Sequence, residues 1–331
     1  MNERYGGRNK MGKVHVNKGR VALALIGVVV SMTVVDSVRR EFFRVNTSSK
    51  VTVHGDFISK SASATSDDNT VPFTLDENGQ PTTEFNGVRF VGKTEQQLTA
   101  DKISQGLLVL ADAEHPVAEG SKSEMIDLLG CKNDSYTLIE EGIMLNADAA
   151  EALNSLMMGY ENATGLNDFV VYGTTETYTG QGSFCPKAFP ESVTGNTVDL
   201  ALNGCGSVIA FDGYDEEGWI VENCAKYGFI VRYPQGKQEK TGQAFCPWHL
   251  RYVGKLHAAV MQRNDLCLEE YLEFLKSYTV DAPFEFSYEG AGYEIYYIPS
   301  ESDTTTAIVP ISGNYSISGN NTDGFIVTYK K

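Results

Sequence analysis

Residues 227–254 read YGFIVRYPQGKQEKTGQAFCPWHLRYVG and contain the strongest structural signals of the sequence. An amphipathic segment at 216–227 leads into it and predicts a helix, which Gly228 stops in the way that glycine ends many helices. The apolar run FIVRYP that follows predicts a buried strand. His249 lies on a further strand near the end of the stretch. The stretch therefore predicts a helix followed by strands.

The flanking sequence predicts further helices and strands. The apolar run LLVLAD at 107–112 favours a buried strand. Asn146 is a suitable N-cap for a helix over 146–158. Two more strands are predicted at 168–173 and 198–202, and another helix at 268–278. After Ala282 the pattern changes to alternating runs separated by Gly, Asn and Ser, which is typical of β-hairpins.

The charge of the chain is unevenly distributed. The 331 residues carry a formal net charge of −16, but residues 1–45 contribute +6 and the remainder −22. The acidic remainder of the chain cannot neutralise the phosphates of a nucleic acid. The sequence therefore argues against nucleic acid as a partner.

The N-terminal sequence predicts a membrane segment. Residues 1–20 are basic, and residues 21–35 (VALALIGVVVSMTVV) carry no charge. As a helix, this run covers about 22 Å of a hydrocarbon core of about 30 Å, so it is a short single-pass anchor. A cleaved signal peptide and a buried core helix are the alternatives. Basic residues stay in the cytoplasm, so the C-terminal domain is expected to be extracytoplasmic.

The sequence divides into five segments by composition and pattern. Ser, Thr, Asp and Asn dominate the third of them, which is typical of a flexible spacer. The segments are a cytoplasmic tail (1–20), an anchor (21–35), a polar spacer (36–99), a core domain (100–281) and a small β tail (282–331).

Residues 100–280 resemble the VanY-type zinc D-alanyl-D-alanine carboxypeptidases, which trim the stem peptide of the bacterial cell wall. Residues 227–254 match the family pattern YGFI-x-RYP, then TG, then E-P-W-H-x-R-Y-V-G. Gly195 and Asp199 match the end of its S-x-H-x-x-G-x-A-x-D pattern. The resemblance implies an α+β fold, with helices packed on an antiparallel sheet around a zinc cleft and the β tail as an appendage.

The resemblance also implies a set of catalytic positions. In the family, two histidines and an aspartate bind zinc, and Asp199 and His249 match two of these ligand positions. The glutamate before P-W takes a proton from zinc-bound water. An arginine in an S-G-Y-R-S turn resembles a clamp for the substrate carboxylate.

Three of these positions carry other residues in this chain. Ser192 stands where the family has its first histidine, and Cys246 stands where it has the general base. The clamp position falls on Thr174 or Thr175. Loss of a general base alone costs a factor of about 10²–10⁴ in rate. The resemblance therefore implies a fold retained with impaired catalysis, and zinc lost or weakly bound.

Two interpretations of Cys246 stay open. Its thiolate could join Asp199 and His249 as a zinc ligand, because zinc accepts such a donor set. Alternatively, Cys246 is a buried small residue or a disulfide partner of Cys185. Trp248 and Arg251 are expected to support the strand of His249 and the floor of the cleft.

Three functions follow from these observations. The first is a membrane-anchored bacterial pseudoenzyme, binding or regulatory, that recognises peptidoglycan stem peptide or a cell-envelope protein. The second is an active zinc D-alanyl-D-alanine carboxypeptidase with an altered metal site. The third is a scaffold or adhesion protein that uses the β tail.

Overall fold

The structure, a computed structural model, describes residues 74–117, 125–173, 190–204, 207–311 and 313–331. The predicted tail and anchor, and the predicted clamp positions Thr174 and Thr175, lie outside these residues. Among the described residues, no helix combines the length and hydrophobicity that crossing a membrane requires.

The described residues form strands β1 to β17 and helices α1 to α5. In chain order the strands are Thr74–Leu75, Pro81–Phe85, Val88–Val91, Lys93–Thr99, Met125–Asp127, Thr137–Leu138, Met144–Asn146, Phe169–Gly173, Thr197–Asn203, Val208–Ala210, Phe229–Tyr233, Cys246–Tyr252, Phe284–Tyr288, Ala291–Pro299, Thr304–Pro310, Asn314–Gly319 and Gly324–Lys330. The α-helices are Ala147–Thr164, Trp219–Asn223, Gln238–Thr241, Lys255–Asn264 and Leu268–Leu275. Short 3-10 helices span Ala100–Ser104, Leu128–Gly130, Pro190–Thr194, Glu216–Gly218 and Cys224–Tyr227.

A six-stranded sheet forms the centre of the fold. Its order is β11-β12-β9-β8-β6, with β10 paired to β9, and every pairing is antiparallel except that of β6 with β8. Helix α1 and the helical turns before Gly228 share one hydrophobic core with this sheet. The predicted α+β arrangement of helices on an antiparallel sheet is confirmed.

Helix α1 shows why the sequence folds locally as predicted. The side chain of Asn146 accepts a hydrogen bond from the backbone N–H of Asp148, and Gly165 ends the helix in the left-handed conformation. Leu153, Leu156 and Tyr160 form part of a fully buried stripe at helical spacing. The predicted helix is confirmed, and it extends further, to residue 164.

The C-terminal strands form a four-stranded sheet in the order β13-β14-β17-β16. Phe286, Ile295 and Ile326 belong to a core that also contains buried residues of α4 and α5. Tyr296, Phe325 and Val327 belong to another core, shared with residues of β4 and β15. The predicted all-β tail is therefore present, and buried side chains tie it to the rest of the domain.

The structure differs from the expected spacer over residues 74–99. This segment forms β1 to β4, and β4 pairs along its whole length with β15. Asn86 and Gly87 both have positive φ and turn β2 into β3, as expected for an Asn-Gly hairpin. A composition rich in Thr, Asn and Gly is compatible with hairpins as well as with linkers.

The predicted strand at 107–112 is also wrong. Residues 108–111 are buried, but they form no strand. Instead, the carbonyls of Leu107 and Val109 accept hydrogen bonds from the side chain of Arg251. An apolar run shows that a segment is buried, not which groups satisfy its backbone.

Candidate functional site

The strand register places Asp199 and His249 side by side. They are direct cross-strand partners between β9 and β12. Asp199 Oδ1 lies 2.5 Å from His249 Nδ1. The two family ligand positions that this chain retains are therefore in hydrogen-bonding contact.

Glu191 lies at the other ring nitrogen of His249. It belongs to the 3-10 helix at 190–194, and its side chain is completely buried. Its Oε1 lies 2.9 Å from His249 Nε2. Its Oε2 accepts hydrogen bonds from Arg232 Nε at 3.1 Å and Arg251 Nη1 at 2.8 Å. Two buried guanidinium groups thus share one carboxylate oxygen.

Each arginine also reaches outward from the sheet. Arg232 donates to both carboxylate oxygens of Glu269 on α5, at 3.0 and 2.7 Å. Arg251 Nη2 donates to the carbonyls of Leu107 and Val109, each at 3.0 Å. The bidentate contact of Arg232 with a carboxylate is the strong form of arginine hydrogen bonding. They connect the sheet to α5 and to the buried segment at 107–109.

These contacts form one group, which we call the ionic network. It contains three carboxylates and three cationic side chains, so it is electrically neutral when His249 is protonated. Protonation of His249 follows from the geometry, because both ring nitrogens face carboxylates and only the imidazolium form donates from both. The members are Glu191, Asp199, Arg232, His249, Arg251 and Glu269.

The electrostatics of the ionic network favour its charged form. Burial alone would raise the pKa of Glu191, but Arg232, His249 and Arg251 together hold that pKa well below its ordinary value. Burial alone would lower the pKa of His249, but Asp199 and Glu191 raise it to about 9. The charge partners outweigh desolvation at both groups.

Two aromatic rings flank His249. Tyr233 stacks nearly parallel to the imidazole, with 5.5 Å between ring centroids. The partly buried Trp248 meets the imidazole edge-on at 6.0 Å and packs against the main core. The orientation of His249 is therefore fixed by packing as well as by hydrogen bonds.

The two substituted family positions lie close by in the fold. Ser192 is buried in the same 3-10 helix as Glu191. Cys246 begins β12 as a partly buried free thiol, and the proposed disulfide partner Cys185 lies outside the described residues. Burial and the neighbouring Asp199 raise the pKa of Cys246 to about 11. At neutral pH, Cys246 is therefore a protonated thiol.

The donor set does not fit a catalytic zinc ion, which needs three protein ligands and an open position. Both nitrogens of His249 are engaged by carboxylates, and Ser192 offers only a neutral hydroxyl where the resemblance implies a ligand histidine. In the part of the chain that the structure describes, no three His, Cys, Asp or Glu side chains are arranged to hold a metal.

Sequence reasoning placed Asp199, His249 and Arg251 at the cleft but missed Glu191, Arg232 and Glu269. Glu191 directly precedes the substituted position Ser192, and Arg232 stands inside the YGFIVRYP motif. The available signal was Arg232 on a strand predicted to be buried, because an arginine is almost never fully buried unless it is paired; the segment of Glu191 gave no such signal. No local pattern pointed to Glu269.

Comparisons with known proteins identify what this chain is similar to. A family model described as VanY, D-alanyl-D-alanine carboxypeptidase, matches residues 190–255, which contain most of the ionic network. The chain is 33% identical over 244 residues to a D-alanyl-D-alanine carboxypeptidase of Enterococcus faecium, covering 71% of this chain and 78% of that protein. It is 46% identical over 88 residues to the putative carboxypeptidase YodJ of Bacillus subtilis (strain 168), covering 26% of this chain and 32% of that one.

A solved structure shows the same fold. The vancomycin resistance D,D-dipeptidase VanXYg, crystallised with a D-Ala-D-Ala phosphinate analog, superposes with a TM-score of 0.61 at 27% identity. The match covers 72% of this chain and 99% of that one. The sequence identity extends over most of the chain, the motifs match and the fold is shared. This chain therefore belongs to the VanY family of D-alanyl-D-alanine carboxypeptidases.

Proposed function

We propose that this chain binds peptidoglycan stem peptides ending in D-Ala-D-Ala without the zinc-dependent hydrolysis of its relatives. One observation carries the proposal. His249 stands at a family ligand position, yet its two ring nitrogens contact Asp199 and Glu191 at 2.5 and 2.9 Å. A histidine that donates from both nitrogens has no lone pair for a metal.

The residues at two substituted family positions, Ser192 and Cys246, also argue against hydrolysis. A general base must accept a proton at the working pH, and the Cys246 thiol, with a pKa of about 11, is already protonated there. Ser192 supplies a hydroxyl where the resemblance implies a ligand histidine. Among the residues that the structure describes, the chain therefore lacks both the group that activates water and the ligand set that holds the metal.

Binding is supported by a solved relative and by the strand register of this chain. VanXYg was solved with a D-Ala-D-Ala analog. In this chain β9 and β12 keep the cross-strand register that places Asp199 beside His249, and the ionic network fixes both strands.

We also propose that residues 21–35 anchor the chain in the cell membrane, with the VanY-family domain extracytoplasmic. The basic residues before this apolar run support that orientation. Stem peptides lie on the same side of the membrane. Proteolysis of intact cells should then cleave the domain while sparing the N-terminal tail.

To test the proposal, the full-length chain in detergent is incubated with zinc chloride and a muramyl pentapeptide that ends in D-Ala-D-Ala. Captured peptide is identified by mass spectrometry, and free D-alanine is measured in the supernatant. The tetrapeptide that lacks the terminal D-alanine is the binding control, and the E. faecium relative is the activity control.

We expect the pentapeptide to be recovered intact and in excess over the tetrapeptide, with no D-alanine above background. Release of D-alanine at a rate close to that of the relative would instead support an active carboxypeptidase with an altered metal site. Equal capture of both peptides would contradict stem-peptide recognition.

A further inference from the structure

We propose that Ser318 on β16 and Asn321 in the turn after it are positioning residues for the cleft. They act through residues 107–110, which we call the bridge segment and which lie between the C-terminal sheet and Arg251. These contacts give the C-terminal strands a role in the geometry around His249, in addition to completing the hydrophobic core.

One side of the bridge segment contacts Arg251. The carbonyls of Leu107 and Val109 accept hydrogen bonds from Nη2 of that side chain, each at 3.0 Å. Nη1 of the same guanidinium donates to Glu191 Oε2 at 2.8 Å, and Glu191 Oε1 lies 2.9 Å from His249 Nε2. Because a guanidinium is planar and rigid, a movement of the two carbonyls also reorients its bond to Glu191.

The other side of the bridge segment contacts the C-terminal sheet. The N–H of Leu108 donates to Ser318 Oγ at 2.9 Å, and the N–H of Leu110 donates to the carbonyl of Asn320 at 3.1 Å. The carbonyl of Leu110 accepts from Asn321 Nδ2 at 2.9 Å. Leu108 and Leu110 are buried, and buried backbone groups need hydrogen-bond partners. Since the bridge segment forms no strand, these bonds determine where its backbone lies.

Two glycines make the contact with the C-terminal sheet close. A Cβ at Gly106 would collide with Ser318, and a Cβ at Gly319 would collide with the backbone of Ile103. Gly319 also donates its N–H to the carbonyl of Gln105 at 2.8 Å. The sheet therefore lies directly against the start of the bridge segment, and close packing leaves little space for either to shift alone.

Proton NMR of the full-length chain in detergent, isotopically labelled at histidine, tests this inference. A proton between His249 Nδ1 and Asp199 Oδ1, which lie 2.5 Å apart, resonates far downfield of ordinary imidazole protons. Ser318→Ala removes a hydrogen-bond acceptor of the bridge segment, and Ser316→Ala, on the same strand, is its matched control. The affinity for the muramyl pentapeptide is the second measurement, and this measurement rests on the proposed function.

We expect Ser318→Ala to shift or broaden this resonance and to lower the affinity for the pentapeptide roughly 2- to 30-fold. Ser316→Ala should leave both measurements unchanged. If Ser318→Ala does not fold, Asn321→Asp should give the same changes, because it keeps the size of the side chain and removes the donor to the carbonyl of Leu110. Asn314→Asp, at an exposed position of β16, is the control with the same change in charge.

A residue that only stabilised the fold would lower the melting temperature and leave the resonance of the folded chain where it is. A wild-type resonance in folded Ser318→Ala or Asn321→Asp would therefore overturn the inference. So would the absence of the downfield resonance from the wild-type chain. A wild-type chain that shows the resonance but does not bind pentapeptide would count against the proposed function, and the resonance in the variants would still decide the positioning role.

Discussion

Glu191 Oε1 lies 2.9 Å from Nε2 of His249, and both side chains are completely buried. Asp199 occupies the other nitrogen of the same ring. The histidine that matches a metal ligand in the family is therefore an internal hydrogen-bond donor in this chain. Strands β9 and β12 place these two family positions side by side, within a neutral cluster of charges.

Replacement of Arg251 by lysine should destabilise the chain. A lysine cannot donate in a fixed fork to Glu191 and to the carbonyls of Leu107 and Val109 at once. We expect a loss of about 2–4 kcal/mol in the free energy of unfolding, measured with urea. Arg89→Lys, at an exposed position of β3, is the control and should have little effect. Equal losses in both variants would show that the fork of Arg251 contributes nothing.

Acid should destabilise the chain through His257. This residue is buried on α4, where Nδ1 lies 2.8 Å from the Tyr271 hydroxyl and Nε2 lies 3.2 Å from Thr328 Oγ1. Burial lowers its pKa to about 4, whereas a histidine in an unfolded chain titrates near 6.5. Between those values the unfolded chain binds more protons, so stability falls as the pH decreases from about 6.5 to about 4.

The contribution of His257 is measurable by urea unfolding at pH 7 and pH 4.5. His257 accounts for up to about 3 kcal/mol of the expected decrease. His257→Asn should therefore lose less stability than the wild-type chain over this interval. The same decrease in both proteins would assign the acid sensitivity to other groups.

Gly319→Ala should weaken the contact between the C-terminal sheet and the start of the domain. A Cβ at Gly319 would collide with the backbone carbonyls of Lys102 and Ile103. Because backbone cannot move aside cheaply, we expect a loss of about 2–3 kcal/mol. Gly130→Ala, where an added Cβ meets no atom, should stay within about 0.5 kcal/mol of the wild type in the same urea titration. An unchanged Gly319→Ala would contradict this packing.

Removal of residues 282–331 should abolish folding. The tail supplies Phe286, Ile295 and Ile326 to one core, and its strand β15 pairs with β4. We expect the truncated chain to lack a cooperative thermal transition. A truncated chain that still melts cooperatively and binds pentapeptide would show that the tail is a separable module, as a scaffold or adhesion role requires.

Zinc binding should be gained when the family residues are restored. Ser192→His with Cys246→Glu supplies the missing ligand and base positions. We expect isothermal titration to detect zinc binding in this double variant, where the added histidine lets zinc displace the proton from His249 Nδ1, and not in the wild-type chain. Equal affinity in the two proteins would mean that the wild-type residues already form a metal site.

Local structure was predictable where short-range chemistry decides it. Asn146 caps α1 as expected, and Gly228 ends the helical turns before β11 in the left-handed conformation. The Asn86-Gly87 turn carried an equally specific signal, but the polar composition around it was interpreted as a spacer. Composition describes solubility, whereas the turn residues determine the hairpin.

The ionic network was not predictable in the same way. The resemblance identified the positions of Asp199 and His249. However, Glu191 and Glu269 reach Arg232 only because the fold brings together residues that are distant in sequence. A charged residue in a motif indicates pairing but does not name its partner. The departure from the family at Ser192 and Cys246 was visible in the sequence, whereas the second carboxylate on His249 required the structure.

Whether His249 binds zinc is tested directly by anomalous diffraction at the zinc absorption edge. The crystals of the chain are grown with zinc chloride. The ionic network predicts no zinc peak at bonding distance, about 2.1 Å, from either nitrogen of His249. It also predicts that Asp199 and Glu191 keep their contacts with the ring. A zinc peak bonded to His249 Nδ1 and Asp199 would show that His249 is a metal ligand and not an internal hydrogen-bond donor.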